Sequence, residues 1–357
     1  LYSWRMALFL TKFIIMRRLG AIVCLLMLLS CQGVDKRKPF TSVSVTDVYE
    51  DSVSIRAIEL MGESLAFAGS NGIFGSMDLN THKVRTNIQK YDSITPEFRA
   101  VGHTSTDFFM LSVATPALLY KTGDQGRMEL VYKEEGEHVF YDSLKFFNDS
   151  DGIAVGDSFE GCLSILTTDD GGNNWSKLTC DELPKALEGE GAFAASNTNV
   201  EIQADKVWIA TTGGRLYHST NKGRTWTIQD TPIEGSEPTQ GIYSLDFYNE
   251  EIGVAIGGDY TQPDGKKGNK AITLDGGHTW NLIADGLEPG YKSCIQFVPK
   301  SEGKEIVALG FTGISYSSDQ GKTWSALSQE PFYTLRFVND SVAYAAGKNR
   351  ISRLVFK

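Results

Sequence analysis

Ser317-Ser318-Asp319-Gln320-Gly321-Lys322-Thr323-Trp324 decides the reading of this 357-residue chain, because it recurs. The pattern Ser/Thr-x-Asp-x-Gly-x-Thr-Trp returns at Thr273-Asp275-Gly277-Thr279-Trp280, and with Asn for Asp at Ser219-Asn221-Gly223-Thr225-Trp226. A fourth copy, Thr168-Asp170-Gly172-Asn174-Trp175, changes only the Thr, and two decayed copies stand at Thr122-Asp124-Gly126 and Ser76-Asp78-Asn80. In such an octapeptide the Asp can accept backbone N–H bonds within a turn, Gly can take positive φ, and Trp is left to pack on a neighbouring sheet. Each copy therefore encodes the corner of a hairpin.

From Asp78 the third position recurs at 124, 170, 221, 275 and 319, intervals of 46, 46, 51, 54 and 44 residues. That is the period of a propeller blade. Each interval repeats one grammar, as in the strands Tyr243 to Phe247, Gly253 to Gly257 and Lys270 to Thr273, then the octapeptide and a fourth strand. Such a unit is a four-stranded meander. Six hairpins give six blades, and Phe332 to Lys357 supplies three strands of a seventh. The β-rich segment Thr41 to Val48 can pair with Ile351 to Phe356 and close the ring, removing the edges an open sheet would expose. The expectation is an all-β, seven-bladed β-propeller over residues 41–357.

Composition agrees with that architecture. Hydrophobic residues make up 41%, charged 22% and aromatic 11%, which is globular, and 36 Gly against 10 Pro suits many tight turns. The formal charge is −10, and −14 once residues 1–30, basic and without acids, are set aside. So acidic a chain repels phosphate backbones at long range, which makes nucleic acid a poor partner.

Met16-Arg17-Arg18, the apolar run Ala21 to Leu29 and Ser30-Cys31 read as a secretory signal, too short to span a bilayer. Leu28-Leu29-Ser30-Cys31 resembles a bacterial lipobox, in which Cys31 would carry a lipid anchor, and Gln32 by resemblance favours outer-membrane sorting. Residues 1–15 are set aside as an upstream extension. Residues 31–40, polar and charged, are a tether. The reading places the protein in the bacterial cell envelope, outside the cytoplasm.

Cys162, Cys180 and Cys294 match no zinc spacing, and the five histidines form no ligand pair, so neither a metal nor a cofactor is implied. Cys162 and Cys180 flank a hairpin centred near residue 171, where a cross-strand disulfide or a pair of reduced buried thiols fits equally. Cys294, on an inner strand, is expected to pack.

The octapeptide resembles the Asp-box, or BNR, repeat of sialidases and of many non-catalytic propellers. Gly152-Ile-Ala-Val-Gly-Asp157, Leu183 to Ser196 and Gly253-Val-Ala-Ile-Gly-Gly-Asp259-Tyr260 make residues 45 to 357 similar to bacterial photosystem II stability/assembly factor propellers, often labelled "oxidoreductase". No Gly-rich strand-to-helix turn supports that label. The resemblance implies an extracytoplasmic factor that binds an assembling membrane protein and carries an arginine-rich patch.

Loops joining strands two and three share a face with those joining blades, so Asp157, Glu160, Glu188, Glu190 and Asp259 are expected on one rim. Aligning the innermost strands places Arg56, Arg99, Lys145, Asp246, Gln296 and Arg336 around the channel mouth. Four of these six are cationic, so the mouth either holds a carboxylate or acidic peptide, or satisfies itself by pairing with Asp246, Glu97 and rim acids.

Three functions follow. The first is a lipid-anchored, non-catalytic assembly factor that binds a membrane or periplasmic protein client through that rim. The second is a sialidase-like glycoside hydrolase using Arg56, Arg99 and Arg336 on a substrate carboxylate, although the Arg-Ile-Pro signature is absent because Ala-Ile follows Arg56. The third is a surface glycan-binding protein, with Tyr260 and Tyr291 as its aromatic candidates.

Overall fold

The computed structural model describes residues 37–123 and 126–357. The signal segment, Cys31 with its lipidation, and most of the tether lie outside the described residues, as do Asp124 and Gln125. From Phe40 to Lys357 the chain folds as one unit. Among the described residues it contains seven four-stranded antiparallel sheets, each built from consecutive strands except the last. Second strands such as Gly253–Gly257 and Ile306–Gly310 are buried throughout, because each blade is covered by a neighbour on both sides. Outermost strands, such as Val84–Ile88 and Ser176–Lys177, are mostly exposed. The core is consequently a series of apolar clusters lying between blades, such as Trp208, Leu245, Phe247 and Trp280.

The ring closes as the sequence predicts. Val43–Ser54 pairs antiparallel with Lys348–Phe356, with Val43 opposite Phe356 and Tyr49 opposite Ile351, and so becomes the outer strand of the seventh blade. Innermost strands touch their neighbours around the axis, including Ala57–Met61 of the first blade against Thr334–Phe337 of the last.

The octapeptides form the corners anticipated for them. Asp319 accepts the Thr323 N–H at 2.8 Å and the Thr323 hydroxyl at 2.6 Å, Ser317 Oγ accepts the Gly321 N–H at 2.8 Å, and the Trp324 indole donates to Gly321 O at 2.8 Å. Gly321 has φ 77°, open to glycine without strain. In the Thr273 copy the Thr279 hydroxyl, outweighing slight desolvation, holds the Asp275 carboxyl below its usual range. Trp175 and Trp280 pack between blades, their rings 5.8 Å from Phe146 and 6.0 Å from Phe247.

Cys162 and Cys180 are joined as a disulfide, their Cα atoms 5.4 Å apart. Cys180 lies just beyond the short strand Ser176–Lys177, in the 3-10 turn Cys180–Glu182, so the bridge extends a blade edge that is only two residues long. Cys294 is reduced and buried.

Candidate functional site

The innermost strands carry two rings of side chains. Pairing with the second strands sets Glu59, Gly102, Lys145, Glu201, Asp246, Gln296 and Arg336 at one level, each opposite the equivalent residue of its blade. Arg56 and Arg99 stand three residues earlier, about 10 Å along the strand. The six positions aligned from sequence therefore do not form a single ring. The sequence alignment sets Arg56 and Arg99 three residues too early in their strands, while Lys145, Asp246, Gln296 and Arg336 do share a level.

A feature absent from the sequence reading separates the two levels. The connection from blade three to blade four turns into the axial channel, where Ser196, Asn197, Thr198 and Asn199 are buried. Asn197 accepts the Leu144 N–H and donates to Val101 O. Ser196 donates to Ser293 O and accepts, through its carbonyl, from Thr334, while Thr198 donates to the Ser244 hydroxyl. Residues 196–198 thus tie blades two, three, five, six and seven together and plug the channel. Small side chains with hydrogen-bonding groups are what such a crossing needs, and Ala194-Ala195-Ser196-Asn197-Thr198-Asn199 supplies them.

On the octapeptide side of the plug the cations are satisfied. Arg336 lies 2.6 Å from Glu59 and Lys145 pairs with Glu201. Burial, reinforced by the neighbouring Glu201, pushes the Asp246 carboxyl up to about 7, opposed by a hydrogen bond from the Phe297 N–H at 2.6 Å. Gln296 is partly buried at the same level. This belt closes on itself. It also removes Arg336 from any triad with Arg56 and Arg99, so the three arginines do not converge on one carboxylate as the hydrolase reading requires.

On the other side lies a cavity of about 450 Å³ that brings together Arg56, Arg99 and Asp157 over a floor of Ala192–Ala195. Phe193 stacks on Tyr243 at 3.6 Å, Tyr291 meets Tyr243 edge-on at 4.8 Å, and Tyr260 and Phe311 stand exposed at the rim. The sequence reading named Tyr260 and Tyr291 but missed Tyr243 and Tyr333. Both stand three residues before a lower-ring position, the same offset as Arg56 and Arg99.

The Arg56 guanidinium carbon sits 4.1 Å from the Tyr333 ring centre, and it donates a long hydrogen bond to Ala195 O at 3.5 Å. Its Nε is buried and, among the described residues, without a partner. Burial, followed by the nearby Arg99, lowers its pKa from the ordinary arginine value. Arg99 is paired with the partly exposed Glu97 at 2.7 Å. Asp157 accepts the Ala192 N–H at 3.1 Å, while burial raises its carboxyl to about 6.

Glu190 and Asp259 have local roles. Glu190 is buried and accepts from Arg215, Thr211 and the Leu187 N–H, fixing the connection as it approaches the axis. Asp259 caps its own loop through the Thr261 N–H and hydroxyl, beside a separate cavity with Glu234 and Lys266.

Asp142, next to this site, is fully buried, and among the described residues its carboxyl has no close hydrogen-bond partner beyond a weak approach of the Ala194 backbone. Desolvation and then Asp157 raise its pKa well above the ordinary value, against the pull of Arg99. A carboxyl whose folded pKa exceeds its unfolded value of about 3.9 binds more protons when folded, so it costs stability as pH rises above about 4. Denaturant unfolding of Asp142→Asn should show a more stable protein than wild type at pH 8, with the gap closing toward pH 4. A gap independent of pH would contradict this assignment.

The family model described as photosynthesis system II assembly factor YCF48 matches residues 128–273, and the BNR/Asp-box repeat model matches residues 315–326. The photosystem II assembly lipoprotein Ycf48 of Synechococcus sp. (strain CC9902) is 31% identical over 134 residues, 37% of this chain and 36% of that protein. The chain thus spans just over a third of the curated relative it matches. Among solved structures, YCF48 bound to D1 peptide has TM-score 0.63 at 13% identity, covering 90% of this chain and 98% of its own. YCF48 from Cyanidioschyzon merolae has TM-score 0.60 at 13% identity, covering 88% and 98%. The RRP9 WD40 repeats have TM-score 0.63 at 10% identity, covering 90% and 99%. At these identities the likeness is one of fold. The chain is an Asp-box repeat propeller, seven-bladed, that resembles the photosystem II assembly factors.

Proposed function

We propose that this protein is a lipid-anchored, extracytoplasmic assembly factor that binds an acidic segment of a client protein in the cavity lined by Arg56 and Arg99, without catalysing a reaction. The observation that carries the reading is the convergence of two guanidiniums on one cavity where, among the described residues, Arg56 has no carboxylate within ion-pair distance. A buried cation left under-bonded and facing another cation is stabilised by an incoming anion. Phe193, Tyr243, Tyr260, Tyr291 and Phe311 offer apolar contact around that anchor, as a recognition pocket requires. The matched relative is an assembly lipoprotein, and a solved YCF48 carries a D1 peptide, which supports a protein client for this chain as well.

The signal-like segment and Cys31 support export and anchoring. Phe40, where the propeller begins, packs on Tyr316 and Phe356 near the octapeptide corners.

Fluorescence polarisation with a labelled acidic peptide and its Asn/Gln counterpart tests the reading. Charge-assisted hydrogen bonds contribute roughly 1.5–3 kcal/mol, so the acidic peptide should bind at least ~10-fold tighter and lose that advantage in high salt. Equal affinities would refute the site. Turnover of a sialoside reporter by the purified protein would replace the assembly reading with the hydrolase.

A further inference from the structure

The arginine cavity holds charges of both signs that do not meet. Arg56, Arg99 and Asp157 all line it, yet among the described residues no ion pair joins Asp157 to either guanidinium or to any other cation. Asp157 stands near the end of Gly152–Phe159, the second strand of blade three, and the floor of the cavity fixes its carboxyl. Its Oδ1 accepts the Ala192 N–H at 3.1 Å, and the floor comes so close that a Cβ on Gly191 would overlap that same oxygen. Its Oδ2 has no partner among the described residues and, unlike the oxygens of Asp142, keeps accessible surface.

The carboxyl is therefore partly desolvated, fixed in place and without a countercharge, which is why burial raises it to about 6. Asp142, close enough for Asp157 to raise its pKa, is of the same sign and offers no compensation. An acid entering the cavity satisfies Arg56 but meets Asp157 as a like charge. A ligand with both charges satisfies both groups.

We propose that the client segment held in this cavity carries a lysine close to its acid, the ammonium pairing with Asp157 while the carboxylate lies on Arg56 and Arg99. This rests on the client-binding reading above and narrows it from an acidic segment to one of alternating charge. Lysine suits the site better than arginine because one carboxylate oxygen is already taken. A bidentate guanidinium needs two oxygens, whereas an ammonium is a point charge that pairs with one. Phe140 and Phe193, which also line the cavity, offer apolar surface to the methylene stem of the lysine.

The test is fluorescence polarisation at pH 8, where Asp157 is ionised, with labelled peptides that carry one Asp and, one, two or three positions away, Lys, Arg, acetyl-lysine or Gln. At the best spacing the Lys peptide should bind ~10-fold tighter than the Gln or acetyl-lysine peptide, with the Arg peptide between them. Asp157→Asn, which keeps an acceptor for the Ala192 N–H, should erase that gain while binding the Gln peptide at least as tightly as wild type does. Binding of the Gln peptide and circular dichroism serve as its fold controls. The Lys and acetyl-lysine peptides, compared on the wild type at three spacings, decide the matter without relying on the variant. A gain that is the same at every spacing, or that persists in Asp157→Asn, would belong to the overall negative charge of the chain and overturn the proposal. Equal binding of the Lys and Gln peptides by the wild type would also overturn it, while leaving the anion site intact. If no peptide with an Asp binds, the anion site itself falls, and this inference with it.

Discussion

An Arg56→Ala/Arg99→Ala protein should bind an acidic peptide about 10²- to 10⁴-fold more weakly than wild type, since each arginine supplies charge-assisted hydrogen bonds of roughly 1.5–3 kcal/mol. Its fold should be little affected. Arg99 is paired with the partly exposed Glu97, and such pairs contribute about 0–1 kcal/mol. Arg56 loses its stacking on Tyr333, but its removal also takes away an unpartnered buried Nε and the repulsion from Arg99. The single variants should be non-additive, because removing one cation relieves the other. Polarisation titrations of both single variants and the double variant, at two salt concentrations and alongside circular dichroism, provide the check. Retained peptide affinity in a folded double variant would show that the anion is held elsewhere.

The repeat made the fold legible because a propeller's geometry is local. Each octapeptide fixes one hairpin through side-chain-to-backbone bonds within five residues, and six of them set the blade count. Ring closure was legible for the same reason, since the seventh blade visibly lacked a strand and the segment Thr41 to Val48 had the pattern to supply it. The axial site was only half legible. Arg56, Arg99 and Asp157 do meet in one cavity, but Lys145, Asp246, Gln296 and Arg336 belong to a separate level.

Two physical causes explain the difference. The short runs that mark inner strands, such as Ser54-Ile-Arg56 and Thr334-Leu-Arg336, look alike in sequence, and only pairing with the second strands shows that Glu59, three residues after Arg56, is the equivalent of Arg336. The plug is a long-range feature. Asn197 is an ordinary polar loop residue by composition, and only the closed ring gives its amide Leu144 and Val101 as partners.

Substitution of Arg336 separates the two levels of the axis. Arg336→Ala leaves Glu59 buried, without its partner at 2.6 Å, and breaking a buried pair from one side costs about 3–5 kcal/mol. Burial works against the Glu59 carboxylate, and it is Arg336 that holds its pKa below the ordinary value, so the variant should also lose its remaining stability more steeply as pH rises. Arg336→Met/Glu59→Leu removes both charges and should recover most of the loss, because replacing a buried pair with apolar groups of similar volume is often neutral. Neither variant should change acidic-peptide affinity while folded, since Arg56 and Arg99 lie across the Ser196–Asn199 plug. Urea unfolding of the three proteins, with peptide titration of each in the absence of urea, gives both readouts. If Arg336→Ala retained its stability but lost the peptide, Arg336 would be a ligand-binding cation, and the plug could not be the boundary between a self-satisfied belt and an open anion site.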